Sequence, residues 1–96
     1  MTNQQIAAVF REIADLLIRE KENWFKVRAY RKVADEIEKL SVDVSELVKE
    51  NRLGEIPGAG EAIKKKIEEM IETGNLQYLQ RLKTEVGGEV GKQSGR

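Results

Sequence analysis

The sequence contains neither cysteine nor histidine. The first absence excludes disulfides and thiolate catalysis, and the second excludes a histidine general base. The commonest zinc sites, whose ligands are these two residue types, are excluded with them. The chain therefore belongs to none of the disulfide-stabilised, cysteine-dependent or common zinc-binding classes of protein.

An excess of charge of either sign is also lacking, because 17 basic residues are balanced by 17 acidic ones. The chain has no overall positive field that would indicate a polyanionic partner. Evidence for such a partner has to come from the distribution of charge along the chain. Residues 1–5 lack the segments of a signal peptide, and no apolar run approaches membrane-spanning length. We therefore expect a cytoplasmic, monomeric protein with no membrane partner.

Strand periodicity is missing too, whereas apolar residues recur at three- and four-residue steps along most of the chain. This pattern predicts an all-α fold, a compact bundle of four to five short helices. Thr2 or Asn3, Asn23 and Gly74 are the predicted caps, and Gly54 is the predicted stop of the third helix. The predicted helices cover approximately residues 3–21, 25–40, 44–52, 61–72 and 76–86.

The stripes of the first, second and fourth predicted helices should share one core. We expect one domain over residues 1–86 and a flexible tail over residues 87–96, which are rich in glycine and contain one apolar residue. The residues predicted to be largely buried are Phe10, Ile13, Leu17, Val33, Ile37, Ile63 and Ile67.

The segment Ile56-Pro57-Gly58-Ala59-Gly60 precedes the fourth predicted helix. Proline fixes φ, and the two glycines allow positive φ or close backbone approach, so the segment predicts a tight hairpin. Unpaired amides at the following helix N-terminus could bind one phosphate without any side-chain charge. An ordinary turn between two helices is the alternative interpretation.

Basic residues dominate between Arg19 and Lys32, where they meet only Glu20 and Glu22. A solvated helix surface is the structural interpretation of such a cluster. A nucleic-acid surface is the functional one, because Phe25 and Tyr30 lie among the cations and could stack on bases. The basic residues of this segment are Arg19, Lys21, Lys26, Arg28, Arg31 and Lys32.

Lys66 occupies the border of the apolar stripe of the fourth helix, whereas Lys65 lies opposite that stripe. A border lysine keeps its stem against apolar atoms, and partial burial lowers an amine's pKa, as a Schiff-base nucleophile requires. Alternatively, Lys66 only covers the edge of the core.

Three motifs together resemble a known family: Asn23 to Lys32, Ile56 to Ile67, and Glu72-Thr73-Gly74. Over about residues 3–86, the chain is similar to the N-terminal helix-hairpin-helix (8-kDa-like) domain of family X DNA polymerases. These are the relatives of DNA polymerase beta, and the bacterial and archaeal members are the most similar. The resemblance implies binding to the 5′ side of gapped or nicked DNA in base excision repair, and in beta-like members a lyase that removes a 5′-deoxyribose phosphate.

The resemblance also implies residue roles. It assigns a phosphate-binding hairpin to Gly58, Ala59 and Gly60, and 5′-phosphate contacts to Lys26 and Tyr30. Two further implied roles are the lyase nucleophile, at Lys66, and a sodium or potassium ion at the backbone carbonyls of Ile56 and Ala59; no other cofactor is expected. Beta-like members carry additional lysines at the positions of Gly54, Ala62 and Tyr78.

We expect DNA to be bound without sequence preference by the hairpin and by neighbouring basic residues. Polymerisation needs clustered carboxylates that hold divalent metals, which this sequence lacks, so a parent protein that polymerises DNA would do so with other residues. The partner that we expect in that case is a polymerase domain C-terminal in the parent chain. The alternatives are a lyase that uses Lys66 and a helical protein-interaction domain anchored by Trp24 and Phe25. The expected DNA-binding residues are Lys26, Arg28, Tyr30, Arg31, Gly58, Ala59, Gly60, Lys64, Lys65 and Lys66.

Overall fold

The computed structural model describes the backbone of residues 1–94 and the side chains of residues 1–86. Within these residues the regular secondary structure is all helical, with no strand, which confirms the predicted all-α fold. None of the described helices combines the length and apolar character needed to cross a membrane. The helical segments are α1 (Asn3–Arg19), α2 (Trp24–Lys39), α3 (Val44–Lys49), a 3₁₀ turn (Leu53–Glu55), α4 (Glu61–Thr73) and α5 (Gln77–Ser94).

Side-chain caps begin the first three helices. The Thr2 hydroxyl accepts from the amide of Gln5, whose side chain accepts from the Thr2 amide in return, so that α1 begins with a capping box. Asn23 Oδ1 accepts from the amide of Phe25 at 2.7 Å, as the sequence predicts. The cap of α3 comes from another helix, because Asn3 Oδ1 accepts from the amide of Val44 at 2.8 Å. This bond joins the start of α1 to the start of α3.

Two helices end earlier than predicted. Lys21 after α1 and Asn51 after α3 both adopt the left-handed conformation, with φ of 56°. The amide of Lys21 donates to the carbonyl of Ile18 and that of Asn51 to the carbonyl of Val48, which closes each helix in the manner usually associated with glycine. The prediction that Gly54 stops α3 is therefore wrong, since Gly54 lies within the 3₁₀ turn.

The end of α4 follows the prediction. Gly74 adopts the left-handed conformation, with φ of 72°, and its amide donates to the carbonyl of Met70 at 2.8 Å. The next helix, α5, extends to Ser94, past the predicted boundary at residue 86. The predicted tail, residues 87–96, lies beyond the described side chains, and residues 95–96 lie outside the described backbone. The domain boundary therefore stays a prediction.

One apolar core joins the faces of all five helices. All seven residues predicted to be buried are buried, from Phe10 and Ile13 in α1 to Ile67 in α4. The connection before α4 contributes as well, because Leu53 and Ile56 are buried in the same core. These two side chains fix the segment that carries the hairpin against the rest of the domain.

The core predicts a clear difference between two truncations. Ile37→Ala should lower the free energy of unfolding by about 2–5 kcal/mol, because Ile37 is fully buried and its loss leaves a cavity. Thermal unfolding followed by circular dichroism should show a melting temperature lower by roughly 10 °C or more. Val42→Ala, at an exposed apolar residue, is the control and should change it little. Equal melting temperatures for the two variants would contradict the packing.

Candidate nucleic-acid interface

The hairpin between the 3₁₀ turn and α4 is a tight turn centred on Pro57 and Gly58. The amide of Ala59 donates to the carbonyl of Ile56 at 3.1 Å, which closes the turn. Gly58 has φ of +85°, the value that a type II turn requires at its second central position. Glycine is therefore needed at residue 58 for the backbone conformation itself.

Gly60 has a different role in the same turn. It is the N-cap of α4 and has an extended backbone, with φ of −74° and ψ of 179°, which any residue can adopt. A Cβ placed on Gly60 would meet no atom within 4 Å. What glycine provides here is an unobstructed surface at the start of α4, where another molecule could approach the backbone closely.

The first turn of α4 presents unpaired backbone donors. The amides of Glu61, Ala62 and Ile63 donate to no protein group within the described residues, and the first bond of the helix runs from the amide of Lys64 to the carbonyl of Gly60. Such donors, at the positive end of the helix dipole, favour an anion. The Glu61 carboxylate contacts Lys64 Nζ at 2.8 Å, and the hydrogen bond from this ammonium lowers the pKa of the carboxyl group.

Lys32 is a basic residue of this surface that the sequence placed in the basic segment but that was not among the expected DNA-binding residues. Its Cδ and Cε would lie 3.8 Å from a Cβ on Gly58, so its stem runs alongside the hairpin. Arg31, which was expected to bind DNA, instead lies over the ring of Trp24 at 5.7 Å and 3.8 Å from a carboxylate oxygen of Asp15. The four-residue spacing from Arg28 to Lys32 was the available signal, since such residues share a helix face.

A groove of about 370 Å³ opens between α2, α4 and α5. Its lining includes Lys26, Tyr30, Lys66 and Tyr78. A second groove of about 300 Å³ shares Lys66 and Tyr78 with the first and adds Arg81 from α5. The fold thus brings four cations from three helices to adjoining grooves, because Lys65 also lines the second groove, together with the carboxylate of Glu69. Arg81 was not among the expected site residues.

Lys66 is half-buried and Lys65 is exposed, as the helical spacing predicts. The ammonium nitrogen of Lys66 lies 4.6 Å from the centre of the Tyr78 ring. Burial lowers the pKa of Lys66, the charges of Arg81 and Lys26 lower it further, and Glu69 raises it. Burial and the neighbouring positive charges of Arg81 and Lys26 therefore both disfavour the charged form of Lys66.

Tyr30 lies in the core and does not offer its ring to solvent. It is 8% exposed and stacks on Phe10 at 5.7 Å and on Tyr78 at 6.4 Å. Burial raises the pKa of the Tyr30 hydroxyl well above its usual range, and the neighbouring Tyr78 adds to this effect. The expectation that Tyr30 stacks on bases is therefore wrong, because its side chain is buried and packs against two other rings. Phe25 is 77% exposed and Trp24 is 55% exposed, so these two rings are accessible.

The remaining predicted residues are spread around these features. Arg28 is exposed on α2. Lys64 lines a polar crevice of about 330 Å³ beside Asn51 and Gly54, and Lys65 borders both this crevice and the groove that contains Arg81. The structure therefore places Lys64 away from the two cationic grooves.

Comparison with protein families gives one match. The sequence model of a family described as a helix-hairpin-helix domain matches residues 1–76, which include the hairpin, the whole of α4 and the three helices before the hairpin. A search of curated proteins finds none that matches this chain. A helix-hairpin-helix domain indicates binding to DNA.

The hairpin geometry predicts that Gly60→Ala separates binding from folding. Alanine fits the extended backbone and the open space at residue 60, so the melting temperature should change by only a few degrees. The added methyl group projects from the start of α4, so the affinity for duplex DNA should fall severalfold. Gly54→Ala is the matched control, because its Cβ also meets no atom within 4 Å and residue 54 lies outside the hairpin turn. If fluorescence anisotropy gave equal affinities for the two variants, the hairpin would not be part of the DNA interface.

Proposed function

The chain belongs to the helix-hairpin-helix family, and from that premise we propose that it is the DNA-binding domain of a family X-type repair polymerase. In this proposal the domain holds the 5′ side of gapped or nicked DNA without reading its sequence. One observation supports it most: the hairpin and a cationic groove border the same first turn of α4. Ala62 and Ile63, which belong to this turn, also line the groove. An internal phosphate and a chain end can therefore be held side by side.

The hairpin is suited to an internal phosphate of the backbone. Its donors are the uncommitted amides of Glu61, Ala62 and Ile63, and Lys32 supplies a charge beside Gly58. A phosphodiester carries one negative charge, which a helix N-terminus and one lysine can balance. None of these groups contacts a base, so this half of the interface accepts any sequence.

The groove is suited to a terminal phosphate. A phosphomonoester carries a charge of approximately −1.5 to −2 near neutral pH, more than an internal phosphodiester carries. The basic residues at the adjoining grooves outnumber the one acidic residue that lines them, Glu69, although Lys26 also lies 3.5 Å from a carboxylate oxygen of Glu22. These basic residues are Lys26, Lys65, Lys66 and Arg81. The exposed ring of Phe25, one residue before Lys26, is available to stack on an unpaired base in the gap.

The proposal includes a sodium or potassium ion at the hairpin. Within the described residues the carbonyl of Ala59 accepts no hydrogen bond, and that of Ile56 accepts only the one from Ala59. Carbonyl oxygens are ligands that hard cations prefer, so this pair fits such an ion. When bound, the ion would add positive charge next to the amides of α4.

Titrations against gapped DNA test the proposal. We expect the parent protein to bind DNA with a 5′-phosphate at the gap more tightly than DNA with a 5′-hydroxyl. Lys66→Gln should weaken binding to the phosphorylated DNA by roughly tenfold and reduce the salt dependence by about one released counterion. Lys39→Gln is the charge-matched control, since Lys39 pairs with Glu36 elsewhere on α2. Equal losses in the two variants, or equal affinity of the parent for both DNAs, would contradict a terminal-phosphate site.

A second candidate function is a 5′-deoxyribose-phosphate lyase that acts through Lys66. The half-buried position and the lowered pKa of Lys66 favour it, because the neutral amine is the nucleophile that attacks C1′ of the sugar aldehyde. Two positions where the resemblance implies lysines, Ala62 and Tyr78, line the groove without adding charge. The leaving phosphate is therefore held less firmly than in the beta-like domains.

We predict that lyase activity is weak or absent. Borohydride should trap little covalent adduct between the parent protein and an abasic 5′ end, and Lys66→Ala should serve as the background. Efficient trapping by the parent that is abolished in Lys66→Ala would overturn this prediction and favour the enzyme. Separate titration on uncleavable gapped DNA would show that both proteins bind, so that low trapping is not caused by poor binding.

A protein-interaction domain is the third candidate, and the exposure of Trp24 and Phe25 is what favours it. These rings lie next to Lys26 and Arg28 in sequence, and Arg31 already lies over Trp24. A cationic setting suits a polyanion better than an apolar partner surface. Steep loss of affinity with added salt would identify phosphate contacts, whereas an apolar interface would depend little on salt.

A further inference from the structure

Tyr78 connects the core to the cations of the groove. Its ring stacks on Tyr30, which in turn stacks on Phe10 in the centre of the domain. Lys66 Nζ lies 4.6 Å and Arg81 Cζ 5.9 Å from the centre of the same ring. Two like charges from different helices are therefore held close to one aromatic side chain.

Neither of these two cations forms an ion pair within the part of the chain that the structure describes. The nearest carboxylate candidate on α4, Glu69, accepts a hydrogen bond from the backbone amide of Gln77 at 2.8 Å and so helps to begin α5. Lys66 and Arg81 repel each other, and an anion placed between them would remove that repulsion.

We propose that Tyr78 is a positioning residue that directs Lys66 and Arg81 onto one terminal phosphate. It thereby gives the domain its preference for a 5′-phosphorylated end over a 5′-hydroxyl end. This inference rests on the proposed function, because it assigns the source of the phosphate preference to one side chain. The ligand is a phosphomonoester at the end of a DNA strand.

The ring acts on the two cations in two ways. The negative face of an aromatic ring attracts a cation, which lowers the cost of keeping a half-buried ammonium charged. A long lysine or arginine side chain also loses considerable conformational freedom when it is fixed on a ligand. The stacking of Tyr78 on buried Tyr30 holds the ring in place, so part of this ordering is present before the phosphate arrives.

Two substitutions at Tyr78 distinguish the effect of the aromatic face from the effects of apolar contact and of the hydroxyl group. Tyr78→Phe keeps the aromatic face, and Tyr78→Leu keeps apolar contact with Tyr30 but removes the face. The measured quantity is the ratio of dissociation constants for gapped DNA with a 5′-hydroxyl and with a 5′-phosphate. We expect Tyr78→Phe to keep the parent's ratio and Tyr78→Leu to reduce it by roughly three- to tenfold. Circular dichroism and melting temperature would establish that both variants are folded.

A second measurement reports on the ring without DNA. The pKa of the Lys66 amine can be followed by NMR of labelled lysine side chains, and Tyr78→Leu should lower it below the parent's value. The other charged groups that face Lys66 are Lys26 from α2, Arg81 from α5 and Glu69 from α4, and all three are unchanged in this variant. An unaltered pKa of Lys66 in Tyr78→Leu would contradict the assigned contact.

The outcomes distinguish this inference from the function on which it rests. If the parent prefers the 5′-phosphate and Tyr78→Leu keeps that preference, the role of Tyr78 is wrong and the terminal-phosphate site stands. If Tyr78→Phe loses the preference as fully as Tyr78→Leu, the hydroxyl group is responsible and the proposed action of the ring is overturned. If the parent shows no preference, both the terminal-phosphate site and the role of Tyr78 fail.

Discussion

The stacking of buried Tyr30 on Phe10 and on Tyr78 is the interaction on which the arrangement of the groove depends. These three rings come from α1, α2 and α5, so their stacking sets how the helices around the groove meet. Because Tyr30 faces the core, Lys26, one turn earlier on α2, lies at the mouth of the groove. Tyr78 then extends the stack to Lys66 on α4. The core and the candidate phosphate site are thus parts of one packed structure.

Although the net charge of the chain is zero, its basic residues fall into two groups, those that form ion pairs and those that do not. Arg11 on α1 is bonded to both Asp35 and Glu38 in the second half of α2, and its hydrogen bond to Glu38 lowers the pKa of that carboxyl group. Arg52 is held in the same way by Glu50 and Glu55. Exposed pairs of this kind add little stability, but they neutralise the basic residues that they engage. The cations without an ion pair in the described part of the chain are Arg19, Lys21, Arg28, Lys32, Lys65, Lys66 and Arg81.

Several of these unpaired cations lie at the hairpin or the two grooves. Lys32 lies beside Gly58, and Lys66 and Arg81 converge at Tyr78. A partner therefore meets uncompensated positive charge on this side of the domain even though the whole chain is neutral. Within the roughly 8–10 Å over which charges act at moderate ionic strength, the local arrangement matters more than the sum.

Periodicity and cap chemistry were sufficient to predict the helices and most of the core. The stripe on α4 separated buried Ile63 and Ile67 from exposed Lys65, and Asn23 was recognised as a cap. The early ends of α1 and α3 were not readable, because Lys21 and Asn51 adopt a conformation that sequence rules reserve chiefly for glycine.

The composition of the site was harder to predict than the fold. The spacing within α2 places Lys32 on the same face as Arg28, but it does not show that this face meets the hairpin. Arg81 belongs to the site through the packing of α5 against α4, which no pattern within a single helix contains. Tyr30 was recognised, but it was read as one of the aromatic residues among the cations of the basic segment, and so its ring was given an exposed role. Tyr78 was noticed only as a position where a lysine was missing.

Tyr78 also bears on whether the domain binds or catalyses. A lysine at residue 78 would add a like charge beside Lys66, and that repulsion would favour the neutral amine that a Schiff base requires. An aromatic ring in the same place favours the charged ammonium instead, against the opposing effects of burial and Arg81. A charged Lys66 attracts a phosphate strongly in the ground state but is a poor nucleophile. In the function proposed here, Tyr78 therefore disfavours covalent chemistry at Lys66 and favours the charged ammonium that attracts a terminal phosphate.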